Sequence, residues 1–155
     1  MRIQRCQHDT AHAAADEIFH DLDLLVAIVF AEWAFPDDFN GDAVFLELRL
    51  RFERAGVKPE AAYVMGHAEY GYTANLPLAD IMRDESMVVY EYEGEDIEPI
   101  HGGPVRLLIP NLYFWKSPKW LRGLELRETD APGFWEQNGY HMYGDPFLEQ
   151  RFWGD

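Results

Sequence analysis

Residues 101–120 read HGGPVRLLIPNLYFWKSPKW, and this stretch constrains the fold more than any other. Gly102-Gly103-Pro104 dictates a tight turn, because glycine reaches backbone conformations closed to other residues and proline fixes its own φ. The apolar run Val105 to Ile109 that follows is the right length for one short buried strand. Four basic side chains, His101, Arg106, Lys116 and Lys119, surround that strand. The chain carries a formal net charge of -15, so so dense a basic set points to an anionic ligand. Arg and Lys donors match phosphate and other oxyanions.

Length and composition bound the rest. At 155 residues, 48% hydrophobic and 15% aromatic, the chain is one folded globular domain or slightly less, with a real core. A single cysteine excludes an internal disulfide framework and a cysteine-based zinc site. Twenty-eight acidic against thirteen basic residues disfavours nucleic acid as a partner, since phosphates would be repelled. The apolar run Leu24 to Phe35 is interrupted by Glu32 and is too short to span a bilayer. The first ten residues lack a signal-peptide pattern. A cytoplasmic location is the default expectation, and the acidic surface suits either an ordinary or a high-salt cytoplasm.

Two unequal parts are expected. Residues 1–43 form a helical segment of unassigned role, with a helix from Ala11 to Phe35 capped by Asp9 or Thr10. From 44 to 155 the texture turns mostly β. Val44 to Ala55 carries both strand alternation and a glycine-stopped helical ending, and its second half favours helix. Strands are expected at Ala62 to His67, Met87 to Tyr92, Val105 to Ile109 and Trp120 to Leu126, with a turn at Glu93 to Asp96. Short helical turns fit Leu76 to Met82 and Gly133 to Asn138. The fold class is α+β, mostly β, with long loops between its elements.

Four blocks, in order, carry a family resemblance: AYVMGHAEYGYTANLPL (62–78), HGGPVRLLIP (101–110), YFWKSPKWLRGLEL (113–126) and GFWEQNGYHMYGDP (133–146). Each is weak alone, but their order and spacing make them specific. The second part resembles the molybdopterin-binding domain of the sulfite oxidase family, over about Phe52 to Trp153. The resemblance implies a mixed-sheet domain that is partial or altered at its N-terminal side. It implies a molybdenum-molybdopterin cofactor, a small anionic or sulfoxide-type substrate, and an electron acceptor that the sequence does not name. It gives no oligomeric state.

The same resemblance implies site roles. His101 and Arg106 would touch the pterin cofactor, and a guanidinium grips phosphate in two-pronged fashion. Lys116, Ser117 and Lys119 would wrap the cofactor's phosphate and pterin; the residue-based alternative is a surface loop with Lys stems lying over tryptophans. Thr73 and Asn75 would face the cofactor pocket, or cap the turn at Leu76. Tyr140 would be the active-site tyrosine, donating a hydrogen bond and passing a proton, or an ordinary packing aromatic.

One departure stands out. Family members bind molybdenum through a cysteine that should fall near Phe30 to Trp33, in VFAEWAF, and none is there. An upstream arginine is not assignable either, and Cys6 lies far away. Three explanations compete: a fragment or altered reading frame before about Ala43, a degenerate member, or a different metal ligand. The abrupt start of the resemblance favours the first. The alternatives to an oxidoreductase are a non-catalytic pterin- or phosphate-binding module, and a scaffold whose His8, His12, Asp16 and His20 share a helix face that could hold a metal.

Overall fold

The computed structural model describes residues 27–29 and 45–155. Its strands are β1 (Ala27–Val29), β2 (Phe45–Glu47), β3 (Tyr63–Ala68), β4 (Thr73–Pro77), β5 (Met87–Val89), β6 (Glu91–Tyr92), β7 (Glu95–Asp96), β8 (Arg106–Leu108) and β9 (Leu121–Arg127). Its helices are α1 (Leu48–Ala55), α2 (Leu78–Ile81) and α3 (Phe134–Gln137). This is the expected α+β, mostly β architecture.

Alternation decides how the main sheet faces. Its order is β1-β9-β3-β4. Val64 pairs with Leu76 on one side and Leu126 on the other, so these three apolar residues share a face. All three are buried. Tyr63, Met65 and His67 alternate to the opposite face. A second sheet, β2-β5-β8, contributes Val88 and Leu107 to the same core. Leu48 and Phe52, one turn apart on α1, are buried in that core. Each such side chain contributes roughly 1.5–3 kcal/mol by leaving water. Every described pairing is antiparallel.

The mixed signal of Val44 to Ala55 resolves as both readings, strand to Glu47 and helix from Leu48. Thr73–Pro77 is a strand, because five consecutive pairings with β3 override its modest propensity, so the helical turn expected over Leu76 to Met82 starts only at Leu78. The expected helix over Ala11 to Phe35 is corrected at Ala27–Val29, which is a strand paired with Gly123, Leu124 and Glu125. Ile28 and Val29 are β-branched, and β9 offers an edge for them to join. The remainder of that helix lies outside the described residues. So do Cys6, the His8-His12-Asp16-His20 face and residues 30–33.

The Gly-Gly-Pro turn is held by close backbone approach. A Cβ on Gly103 would lie 1.8 Å from the carbonyl oxygen of Ile97, a collision with main chain that no rotamer relieves. Gly103→Ala is therefore expected to destabilise the domain by about 3 kcal/mol or more, read as a lowered midpoint in urea. A change under about 1 kcal/mol would show that the turn is looser than its geometry.

Candidate functional site

The two basic segments clasp each other through main-chain bonds. Leu107 N donates to Pro118 O at 2.9 Å, Trp120 N to Gly102 O at 3.1 Å and Leu121 N to Val105 O at 2.9 Å. Gly102 takes a left-handed φ of 110°, and a Cβ there would meet Lys119 Cγ at 2.9 Å. A Cβ on Gly66 of β3 would lie 3.4 Å from the Pro118 ring, so the 114–120 loop lies against the sheet. Ser117 is buried, and its Oγ accepts from Ile109 N at 2.9 Å.

The outer side of this clasp is a pocket of about 360 Å³, lined by Arg106, Ser117, Lys119 and the rings of Tyr70, Tyr72, Phe114, Trp120 and Phe134, with Glu69 and Pro118. Arg106 is its chemical centre. Its Nη1 donates to His101 O at 2.9 Å, and its guanidinium lies over the Phe114 ring at 4.7 Å. Its Nε and Nη2 are buried and have no hydrogen-bond partner. Burial alone pulls its pKa below the ordinary arginine value, yet a guanidinium stays charged in proteins. A desolvated cation with two unpaired donors is unfavourable until an acceptor arrives. Lys119 Nζ donates to Ile100 O at 2.9 Å and keeps two further donors.

Three residues expected at the site thus converge: Arg106, Ser117 and Lys119. His101 supports Arg106 through its carbonyl, while its ring is largely exposed and lies 3.9 Å from Glu98. Lys116 points the other way. It is fully buried, and Nζ sits 2.6 Å from Glu136 Oε1, 2.8 Å from Asn75 Oδ1, 2.7 Å from Met142 O and 3.1 Å from Asn75 O. Four acceptors saturate its three donors, so it has none for a ligand. Burial lowers its pKa, and the Glu136 carboxylate opposes that shift. Asn75 is engaged in the same network, donating to Asp130 Oδ1 and Met142 O, and it neither caps a helix nor reaches the pocket. Thr73 lies on β4 opposite His67 and away from the pocket lining. Tyr140 packs among Trp115, Trp135 and Phe152, at centroid distances of 4.9, 4.9 and 5.3 Å.

Of the two phenols on the pocket wall, Tyr70 and Tyr72, the more buried is Tyr72, which was not among the residues expected at the site. Its OH donates to Trp115 O at 2.5 Å. Burial, and then the nearby Glu136 carboxylate, push its pKa far above the ordinary tyrosine value, so it stays protonated. Trp115 in turn donates from Nε1 to Glu136 Oε1 at 3.0 Å. The Lys116–Glu136 pair therefore holds the loop from inside while Phe114, Ser117, Pro118, Lys119 and Trp120 line the pocket. The aromatic run EYGYT, beside TANLPL, was the available signal for Tyr70 and Tyr72.

A model of the oxidoreductase molybdopterin binding domain matches residues 43–135. The chain belongs to that family. The uncharacterized oxidoreductase YuiH of Bacillus subtilis (strain 168) is 55% identical over 103 residues, covering 66% of this chain and 52% of YuiH. Sulfite oxidase of Gallus gallus is 29% identical over 106 residues, covering 68% of this chain and 21% of that enzyme. The crystal structure of the sulfane dehydrogenase SoxCD from Paracoccus pantotrophus matches in fold, with a TM-score of 0.54 at 23% identity, over 70% of this chain and 28% of that one. The chain thus spans about half the length of YuiH and less of the other two. It is a molybdopterin oxidoreductase domain of the sulfite oxidase type.

The pocket fits the family's cofactor in part. Two orphaned guanidinium donors, a lysine and a hydroxyl suit a phosphate, and flat aromatic walls suit a pterin. Among the described residues no group of three His, Cys, Asp or Glu side chains converges as a metal site. No described helix is long and apolar enough to cross a membrane.

Proposed function

We propose that this chain holds the phosphate-bearing pterin of a molybdenum cofactor in the Arg106 pocket. It would serve oxygen-atom and two-electron transfer on a small oxyanion or sulfoxide-type substrate. The observation that carries this reading is that Arg106, which lines the pocket, has two buried N–H groups without a partner. A phosphate there accepts both in a two-pronged grip, and Lys119 adds a point charge. Ser117 accepts from Ile109 N, which leaves its hydroxyl proton for a ligand oxygen. The bound cofactor supplies the redox chemistry, and the protein supplies binding, orientation and electrostatics. Tyr72 is a protonated phenol on the wall of the same pocket.

Sulfite oxidase among the relatives supports the oxyanion reading, and the activity of the whole protein is part of this proposal. A second reading, a module that binds pterin or phosphate without turnover, is favoured by one observation: the sole cysteine is Cys6, away from the expected ligand position. Expression in a host that makes the cofactor separates the two. Equimolar molybdenum and pterin in the purified protein are expected from the oxidoreductase. Pterin without molybdenum would favour the second reading, and neither would sink both.

A further inference from the structure

Near its C-terminal end the chain turns back on itself, and Tyr140 and Phe152 meet there in an isolated antiparallel bridge. The turn between them carries Phe147 and Leu148, which are 88% and 67% exposed. Phe152 and Trp153, on the returning arm, are 54% and 81% exposed. Single apolar residues on a surface are ordinary, but four large ones within seven positions mark a contact surface. The turn is also rigid. Asp145 Oδ1 accepts from Phe147 N at 2.8 Å and from Leu148 N at 3.3 Å. Gln150 closes the turn twice: its N donates to Asp145 O at 3.0 Å, and its Oε1 accepts from Asp145 N at 3.1 Å. Asp155 Oδ2 accepts from Arg151 N at 2.9 Å and Phe152 N at 2.6 Å, and Trp153 N donates to Gly139 O at 3.0 Å. A loose turn would let its apolar side chains fold back onto the protein, whereas this one holds them out. Anchors fixed in advance lose little conformational freedom on binding.

We propose that the 145–153 turn is a docking knob for a basic amphipathic segment of a partner protein, with Phe147 and Leu148 as its anchors. Size and charge select that occupant. The four exposed side chains present roughly 600 Å² of apolar surface, below the ~800 Å² per partner of a standard stable interface. A permanent assembly would need more than this turn, so the contact is transient. A second copy would bring its own formal charge of -15 against this one. The charges beside the anchors, Asp145, Glu149 and Asp155, are acidic as well. The one basic residue among them, Arg151, is committed to Tyr113, donating from Nε to its OH at 3.0 Å and lying over its ring. An anionic lipid surface would meet the same repulsion. A basic segment with apolar side chains gains attraction and burial together. The knob is independent of the Arg106 pocket and of what that pocket binds.

The probe is a synthetic helix-forming peptide of Leu and Lys with its leucines on one face, compared by calorimetry with a peptide of equal charge in which every Leu is Ala. The full chain is expected to bind the Leu-Lys peptide at least about tenfold more tightly, the worth of one good apolar anchor. Phe147→Ser with Leu148→Ser should abolish that preference and leave the weak, charge-driven binding of the Ala-Lys peptide unchanged. Phe147→Ser alone should cut the preference by about threefold or more. No preference in wild type, or a preference that either variant leaves intact, overturns the knob. The double variant should unfold within about 3 °C of wild type, since exposed side chains without packing partners contribute little to stability. A larger fall would show that the chain packs on its own turn, and the proposal fails. Two further results assign the turn elsewhere and also overturn the proposal. One is concentration-dependent dimerisation in sedimentation that the double variant loses, which gives it to a second copy. The other is binding to phosphatidylcholine or phosphatidylserine vesicles that the double variant loses, which gives it to a membrane.

Discussion

Arg106→Ala is expected to empty the pocket without unfolding the domain. Hydrogen bonds to charged groups contribute roughly 1.5–3 kcal/mol each, so losing the two-pronged grip should weaken pterin phosphate binding by about a hundredfold or more. The folded state should hold or gain slightly, because two buried N–H groups without acceptors disappear along with the side chain. The measurement is pterin content after expression in a cofactor-making host, beside thermal unfolding of the cofactor-free protein. Arg106→Lys should recover only a fraction, since an ammonium keeps the charge but not the planar fork. Equal pterin content in wild type and Arg106→Ala would remove Arg106 from the site. A large fall in Tm would instead make it a structural residue.

Lys116→Ala is expected to act in the opposite way, through stability. The substitution leaves the buried Glu136 carboxylate without its cation and Asn75 Oδ1 without its donor, while Met142 O keeps only Asn75 Nδ2. Breaking one side of a buried ion pair costs about 3–5 kcal/mol. For a domain of this size that is a fall in Tm on the order of 10 °C. Glu136→Gln should be milder, because the amide oxygen still accepts from Trp115 and Lys116. The double change Lys116→Met with Glu136→Leu should recover much of the loss, since replacing a whole buried pair by apolar groups is often nearly neutral. Chemical denaturation of the three variants checks the series. A loss below about 1 kcal/mol for Lys116→Ala would show that the pair is not desolvated as its burial requires.

These contrasting outcomes for two neighbouring basic residues show what linear order conceals. Arg106 and Lys116 read alike in the sequence: both lie beside an apolar run and both fit an anion. Their separation depends on Asn75, Glu136 and Met142, which lie 20 to 41 positions from Lys116 and meet it only when β4, α3 and the C-terminal loop pack together. Tyr72 lines the pocket while Tyr140 packs among Trp115, Trp135 and Phe152, for a similar reason. Both sit in aromatic-rich blocks, but only the strand pairing that brings Thr73 opposite His67 sets Tyr72 beside the 114–120 loop. Thr73–Pro77 is a strand through its five pairings with β3, which its own modest propensity does not signal.

Much was nonetheless legible in the chain. Local rules suffice where one residue type meets one local demand. Gly102 and Gly103 had to be glycines at a turn, and the structure gives each a neighbour within collision range of a Cβ. The strands at 63–68, 106–108 and 121–127 follow from alternation and apolar content, as does the switch from strand to helix at Leu48. The order of the four motif blocks determined the family before any contact was known, and the match over residues 43–135 agrees. Tertiary structure alone decided which cations face outward, which phenols line the pocket, and that Ala27–Val29 joins a sheet. Burial and the identity of a polar partner belong to pairs of residues distant in sequence, and the free energy of a buried charge is set by those partners rather than by the residue itself.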